Sequence, residues 1–297
     1  MTLRVGTRAS ALALAQSRAV ASALGGNCEV IEISTGGDRG AGAEDKSRWV
    51  DELERALLDE RIDVAVHSAK DVPGDLGEGL EIAAVPARED ARDALCGAGA
   101  LAELRPGARI GTSSLRRRSQ LLAAREDIEI LDLRGNVDTR LRKLADGECD
   151  ALVLALAGLR RLGRAEAATA LLDFIPAPGQ GALALEARTN DEETRAALRT
   201  LDDAGAHGCL RAERAFARAV GASCHTPVGA HARGVDGELE LSAFVGLPDG
   251  SEWIRDRAAG AEPEALGREA GARLLAAGAG ELLRRAEEWS LAEGASA

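Results

Sequence analysis

Arg109-Ile110-Gly111-Thr112-Ser113-Ser114 echoes Arg4-Val5-Gly6-Thr7-Arg8-Ala9-Ser10, and each stretch runs into a helical pattern. A short apolar strand, a Gly-Thr turn and a helix opening make the first half of a βαβ unit, where ligands gather at the carboxyl end of the strand. Outward from the first copy, Leu3–Gly6 reads as a strand and Ser10–Leu24 as a helix closed by Gly25-Gly26. Glu29–Ser34 is a strand, Trp49–Glu60 a helix with Leu53, Leu57 and Leu58 on one face, and Ile62–Val66 a strand that leads into His67-Ser68-Ala69-Lys70-Asp71-Val72-Pro73. The second copy continues with a strand over Ile128–Leu133, a helix over Val137–Ala145 and a strand over Ala151–Leu154. The same order twice predicts two α/β domains on mostly parallel sheets, with ligand between them. Gly36–Ser47 is Gly-rich, charged and non-periodic, and is expected to be a mobile loop.

The rest of the chain differs. Pro176-Ala177-Pro178-Gly179-Gln180-Gly181 reads as a rigid turn, and Ala182–Glu186 as a strand returning to one of the first two sheets. A helix over Gly208–Val220 precedes a hairpin made of Leu239–Val245, the turn Pro248-Asp249-Gly250, and Trp253-Ile254. Two Ala/Leu-rich helices follow, so this third part is expected to be a small α+β domain.

Composition narrows the function classes. Of 297 residues, 45% are hydrophobic and 29% charged, the formal net charge is −12, aromatics are 2% and tyrosine is absent. Single-strand nucleic-acid binding needs aromatic platforms and a basic groove, so nucleic acid is not an expected partner. The longest apolar run, Ala151–Leu159, is roughly half of the ~20 residues of a membrane helix. The apolar stretch Ala11–Ala15 is too short for a secretory signal. Cysteines 28, 96, 149, 209 and 224 form no CxxC pair, which fits reduced thiols in a cytoplasmic protein. Lysine occurs only at 46, 70 and 143, so each is a candidate for a place where an ammonium rather than a guanidinium is wanted.

The chemistry-bearing residues cluster at element ends. Arg8 follows the first Gly-Thr turn, Arg116-Arg117-Arg118 opens the helix after the second, and Arg134 and Arg140 bracket Gly135-Asn136-Val137-Asp138-Thr139. Helix N-termini with arginines make carboxylate or phosphate sites. Acidic neighbours could instead neutralise these side chains, but Ser113-Ser114-Leu115-Arg116-Arg117 has no acid near it in sequence, which predicts a polyanionic ligand. Asp71 closes a buried strand ahead of Val72-Pro73, and reads either as a turn-forming acid or as a carboxylate that stabilises a transient cation or shuttles a proton. His67 is expected to be a satisfied, half-buried histidine. Cys224 lies in the turn-rich loop Gly221–Gly229, accessible as a nucleophile or attachment point, whereas Cys28 and Cys149 read as inert. His225 has no metal-ligand partner at suitable spacing, and no metal is expected.

Six stretches carry a family resemblance. RVGTRASALALAQ at 4–16, HSAKDVP at 67–73, GTSSLRRRSQL at 111–121, LRGNVDTRLRKL at 133–144, PAPGQGAL at 176–183 and the cysteine loop at 221–229 resemble the hydroxymethylbilane synthase family, also called porphobilinogen deaminase. The resemblance covers most of the chain, in order. It implies two periplasmic-binding-protein-like α/β domains plus a small α+β C-terminal domain: 1–87 with 182–200, then 88–181, then 204–297. It implies a dipyrromethane cofactor held by a thioether to Cys224, and an enzyme that joins four porphobilinogen units head to tail, losing ammonia each time, and releases hydroxymethylbilane. Carried over residue by residue, Asp71 is the catalytic aspartate. Lys70, Ser113, Ser114, Arg116, Arg117, Arg134, Asn136 and Arg140 are cofactor-binding, and Arg8, Ser10, Lys46 and Gln180 substrate-binding. A cytoplasmic monomer that needs neither membrane nor nucleic acid is expected. The chain departs from the family pattern at Lys46–Glu54, where Trp49 takes a phenylalanine position and Asp51 a lysine position, and in the cysteine loop, which reads Ala-Ser-Cys where Gly-Gly-Cys is common. Two other readings stand beside the enzyme: a non-catalytic intracellular polycarboxylate binder of the same fold, and a degenerate paralogue.

Overall fold

The computed structural model describes residues 2–25, 27–33, 47–223 and 225–294, without the side chains of 47–49 and 293–294. Lys46, Cys224 and nearly all of the expected loop Gly36–Ser47 lie outside the described residues.

The chain begins with β1 (Leu3–Thr7), α1 (Ala11–Ala23), β2 (Cys28–Glu32), α2 (Ser47–Leu58), β3 (Val64–Ser68) and β4 (Leu80–Ala84). It continues with β5 (Asp93–Cys96), β6 (Arg109–Gly111), α3 (Leu115–Ala124), β7 (Glu129–Leu131), α4 (Val137–Ala145), β8 (Ala151–Ala155), α5 (Leu156–Arg161) and β9 (Ala168–Leu172). Then come β10 (Leu183–Arg188), α6 (Glu192–Arg199), α7 (Ala204–Ala219), β11 (Val228–Val235), β12 (Glu238–Gly246), β13 (Trp253–Gly260), α8 (Pro263–Ala276) and α9 (Ala279–Gly294).

Two five-stranded sheets share one design. The first has the order β2-β1-β3-β10-β4, the second β7-β6-β8-β5-β9. In each, four strands point the same way, three of them paired side by side as their crossover helices require, and the fifth runs antiparallel to both of its neighbours: β10 in the first, β5 in the second. The predicted α/β class is met, with the strand–turn–helix–strand–helix–strand order appearing as β1 to β3 and again as β6 to β8. The strand after the Pro-Gly turn does return, as β10, to the first sheet. A meander of β11, β12 and β13 forms the third sheet, with α8 and α9 after it, and this is the expected small α+β part.

By internal contacts the chain forms two compact units, Met1–Glu89 with Gly179–Leu210, and Asp90–Pro178 with Arg211–Ala297. In the first unit β3 is covered on both faces: Val64 and Val66 pack with Val5, Val20 and Leu185, while Ala65 packs with Leu53, Leu57 and Ile62. The run Ala151–Leu159 is β8 continuing directly into α5, buried with Leu133, Cys149 and Cys96. In the second unit the three-stranded sheet packs on α3. Gly246 and Gly250 permit this approach, since a Cβ on Gly246 would lie 2.6 Å from Ser119 Oγ and one on Gly250 2.5 Å from the Ala123 backbone nitrogen.

Candidate active site

In the first unit, the end of β3 carries the candidate acid. Val64 to His67 are buried, and the chain then tightens into a single 3₁₀ turn, Ala69–Asp71, before Val72-Pro73. Lys70 and Asp71 are half-buried there. The Pro-Gly turn packs directly on this turn: a Cβ on Gly179 (φ +76°) would stand 2.8 Å from the Ala69 carbonyl carbon and the Lys70 nitrogen. No larger residue fits, and the left-handed φ also favours glycine. Ala69 N–H donates to the Ala182 carbonyl (3.0 Å), and the Gln180 carbonyl accepts from Arg88 Nε (2.9 Å) and Nη2 (2.7 Å). Gln180 is thus buried beside the Asp71 turn. Ser10 caps α1, accepting from Ala13 N–H (3.3 Å), and Arg8 is half-buried between that cap and β1. Gln16 on α1 donates to Ser68 Oγ (2.9 Å), which ties α1 to the end of β3. His67 is fully buried rather than half-buried, with Nε2 2.9 Å from Glu186 Oε2, so its polar demand is met by a partner on β10.

In the second unit, Gly111 ends β6 where a Cβ would collide with Leu152 (2.6 Å), and Thr112 Oγ1 accepts from Ser114 N–H (3.2 Å). Ser114 then caps α3, accepting from Arg117 N–H (3.4 Å). Asn136 likewise caps α4 through Thr139 N–H (2.9 Å). Ser113 is exposed and accepts from Arg140 Nη2 (3.1 Å), while Arg140 Nε donates to the Gly135 carbonyl (2.7 Å). Arg134 is exposed and paired with Asp132 (2.9 Å). Ser113, Ser114 and Arg140 therefore meet at the N-terminus of α3, where unsatisfied N–H groups already favour anions.

Arg116 and Arg117 correct an expectation. No acid lies near them in sequence, yet both are buried against Asp93 on β5: Arg116 Nη1 donates to Oδ2 (2.8 Å), and Arg117 Nε and Nη2 donate to Oδ1 (3.0 and 2.8 Å). Arg117 Nη1 also donates to the Val153 carbonyl (3.0 Å) and Arg116 Nη1 to the Ile175 carbonyl (2.9 Å). One carboxylate faces two guanidinium groups, so one positive charge is left over in a buried setting. The electrostatics follow: burial pulls the Arg116 guanidinium below its ordinary range against the attraction of Asp93. Burial, then the charge of Arg117, does the same to Arg140. Arg116 Nε–H is buried with no hydrogen-bond partner among the described residues. This donor set suits carboxylates. Asp93 is the buried partner of these arginines that the sequence did not reveal, because Asp93–Cys96 is a short strand with no periodic signal of its own.

Among the described residues no group of three or more His, Cys, Asp or Glu side chains could hold a metal, and no helix is long and apolar enough to cross a membrane. Cys28, Cys96, Cys149 and Cys209 are free thiols, and burial pushes Cys96 up to about 11.

Comparison with known proteins gives two family models, "Porphobilinogen deaminase, dipyromethane cofactor binding domain" over residues 3–196 and "Porphobilinogen deaminase, C-terminal domain" over 208–276. Among curated relatives, the porphobilinogen deaminase of Syntrophobacter fumaroxidans is 46% identical, covering 95% of this chain and 96% of that one. That of Thermus thermophilus is 46% identical (94% and 97%), and that of Sorangium cellulosum 50% (85% and 89%). Similar solved structures include a Brucella ovis periplasmic binding protein with glutathione bound (17% identity, TM-score 0.41, 73% of this chain and 68% of that one). Another is an arginine-specific periplasmic binding protein of Salmonella typhimurium (15%, TM-score 0.37, 67% and 92%).

Proposed function

Because this chain belongs to the porphobilinogen deaminase family, we infer that it joins four porphobilinogen molecules into hydroxymethylbilane with release of ammonia, as a transferase of tetrapyrrole biosynthesis that works on a covalent dipyrromethane cofactor. Beyond membership, the observation that carries this reading is the cluster at the start of α3. Two buried arginines share one aspartate, an Arg116 N–H has no partner among the described residues, and Ser113 and Arg140 adjoin the same helix N-terminus. Each pyrrole of the cofactor bears an acetate and a propionate, and a donor set with surplus positive charge fits them. Ser113, Ser114, Arg116, Arg117, Arg134, Asn136 and Arg140 would hold the cofactor with Lys70, and Cys224 would be its attachment point. Ser114 and Asn136 act through helix caps, which aim free N–H groups at carboxylates. When bound, the dipyrromethane supplies the pyrrole carbon onto which substrate is joined.

Arg8, Ser10, Lys46 and Gln180 are proposed to bind porphobilinogen. Asp71 is proposed to offset the positive charge that develops on a pyrrole nitrogen as the substrate loses ammonia, and to hold its N–H proton meanwhile. Support for its placement comes from the over-determined turn it occupies, fixed by Gly179, Ala182 and Pro73. Three domains, 1–87 with 182–200, 88–181 and 204–297, are proposed from the three sheets; a net charge of −12 and scarce aromatics support a protein without a nucleic-acid partner, and cysteines that form no CxxC pair support a cytoplasmic one, proposed as a monomer. The non-catalytic binder gains no support from relatives named as the enzyme. The test is direct: purified protein incubated with porphobilinogen should release ammonia and form hydroxymethylbilane in a ratio of about four to one, as the proposed stoichiometry demands. Porphobilinogen bound but recovered unchanged would refute the reading.

A further inference from the structure

The buried amide of Gln120 has no role in anything described so far, yet all its hydrogen-bonding capacity is used. It lies one turn after Arg116 on α3 and is 1% exposed. Its Oε1 accepts from Ile175 N–H (2.8 Å) and from Arg255 Nη2 on β13 (3.5 Å). Its Nε2 donates to the Ile175 carbonyl (3.0 Å) and to the Arg116 carbonyl (3.5 Å). A side-chain amide that both donates to and accepts from one residue's backbone copies a β-ladder pair, and among side chains only Gln and Asn carry that donor–acceptor fork.

Ile175-Pro176 is in turn shared by two elements. The Ile175 carbonyl also accepts from Arg116 Nη1 (2.9 Å), the arginine that faces Asp93. On the other side Pro176 O accepts from Ala230 N–H (2.9 Å), and Gly229 approaches so closely that a Cβ would stand 2.8 Å from the Ile175 oxygen. Residues 229 and 230 are the second and third of β11, the strand that the Cys224 loop enters. Arg255, which completes the amide's contacts, is itself held between the Phe244 and Trp253 rings, 5.6 and 5.1 Å from their centroids.

We propose that Gln120 is a positioning residue: by clamping the backbone of Ile175 it fixes Arg116 on α3 and the start of β11 to one frame, and so sets the ionic anchor of the cofactor relative to the strand that follows its covalent tether. The proposal rests on the functional reading given above. Gln120 touches neither substrate nor cofactor. Its effect passes through Arg116 and β11.

The test uses purified holoenzyme carrying Gln120→Glu or Gln120→Asn. In Gln120→Glu a carboxylate oxygen replaces the N–H that faces two carbonyls. In Gln120→Asn the same amide is one methylene too short to reach both groups of Ile175. Intact mass reads the fraction of chains carrying a two-pyrrole adduct, steady-state kinetics with porphobilinogen separates kcat from KM, and Tm reports folding. We expect both variants to lower the adduct-bearing fraction and to lower kcat about 10- to 100-fold, the scale for misplacing a binding group by about 1 Å. KM should change far less, and Asn should be milder than Glu. A merely stabilising glutamine would shift Tm and leave adduct fraction and kcat, measured well below Tm, at unmodified values, and that result overturns the proposal. If Gln120→Glu does not fold, Gln120→Asn decides alone. An unmodified chain without adduct would overturn the functional reading as well, whereas adduct in the unmodified chain with no loss in the variants overturns only this inference.

Discussion

Asp93 is what allows two arginines to be buried side by side at the start of α3, and its removal isolates the cost of doing so. In Asp93→Asn the shape persists but two guanidinium groups face a neutral amide, so the loss should approach the ~3–5 kcal/mol typical of stripping one partner from a buried pair. Urea denaturation would measure it, and an Asp93→Asn chain as stable as the unmodified one would mean that Arg116 and Arg117 are offset by something else. Asp71 is the contrasting case. It is half-buried on a turn that Gly179 and the Ala69–Ala182 hydrogen bond also fix. Asp71→Asn should therefore keep Tm and adduct while losing about two to four orders of magnitude in kcat, the scale for one charge-stabilising or acid–base group. Normal turnover in that variant would make Asp71 a turn residue only.

Elements in the first unit are stapled by one buried acid. Asp63 precedes β3 and accepts from Arg4 on β1 through Nε (3.0 Å), Nη2 (2.6 Å) and the backbone N–H (2.8 Å), and from Arg188 at the end of β10 (3.4 Å). Burial pushes its carboxyl up, but the bonds to Arg4 and Arg188 outweigh that and hold it below its ordinary value of 3.8. A depressed folded pKa means stability that is present above the unfolded value and lost as pH falls through the folded one. The first unit should thus lose stability as pH drops below about 3.8, and Asp63→Asn should be weaker at neutral pH with a flatter acid limb in urea titrations. Equal slopes for the two proteins would refute this staple. The same scale shows what the sequence could reveal. Helices α1 and α4 were legible from their patterns, whereas the caps Ser10, Ser114 and Asn136, one residue before α1, α3 and α4, are found only in the structure. Strands β4, β5 and β9 were not legible, because four or five residues are too few to carry a period that can be read. The place of Arg116 and Arg117 at the opening of α3 was legible, but their buried partner was not. Asp93 reaches them only through the antiparallel insertion of β5 beside β8, a long-range pairing that no local pattern encodes.

Taken whole, the chain has a net charge of −12 and yet is an enzyme of anionic substrates. The two facts are compatible because charges farther apart than ~8 Å are largely screened at physiological salt, while guanidinium clamps act at contact. The tether proposed to complement these clamps is Cys224, flanked in sequence by the small residues Ala222 and Ser223, while Cys96 and Cys149 are buried thiols whose pKa burial raises. A hydroxyl is a far poorer nucleophile than a thiolate, so Cys224→Ser should fold but remain unloaded. The decisive measurement is the intact mass of the purified chain beside that of Cys224→Ser. The account predicts that the unmodified chain exceeds its sequence mass by one two-pyrrole adduct, and that Cys224→Ser has its sequence mass alone and makes no hydroxymethylbilane. An unmodified chain at its bare sequence mass, or a Cys224→Ser variant that turns porphobilinogen over without an adduct, would contradict it.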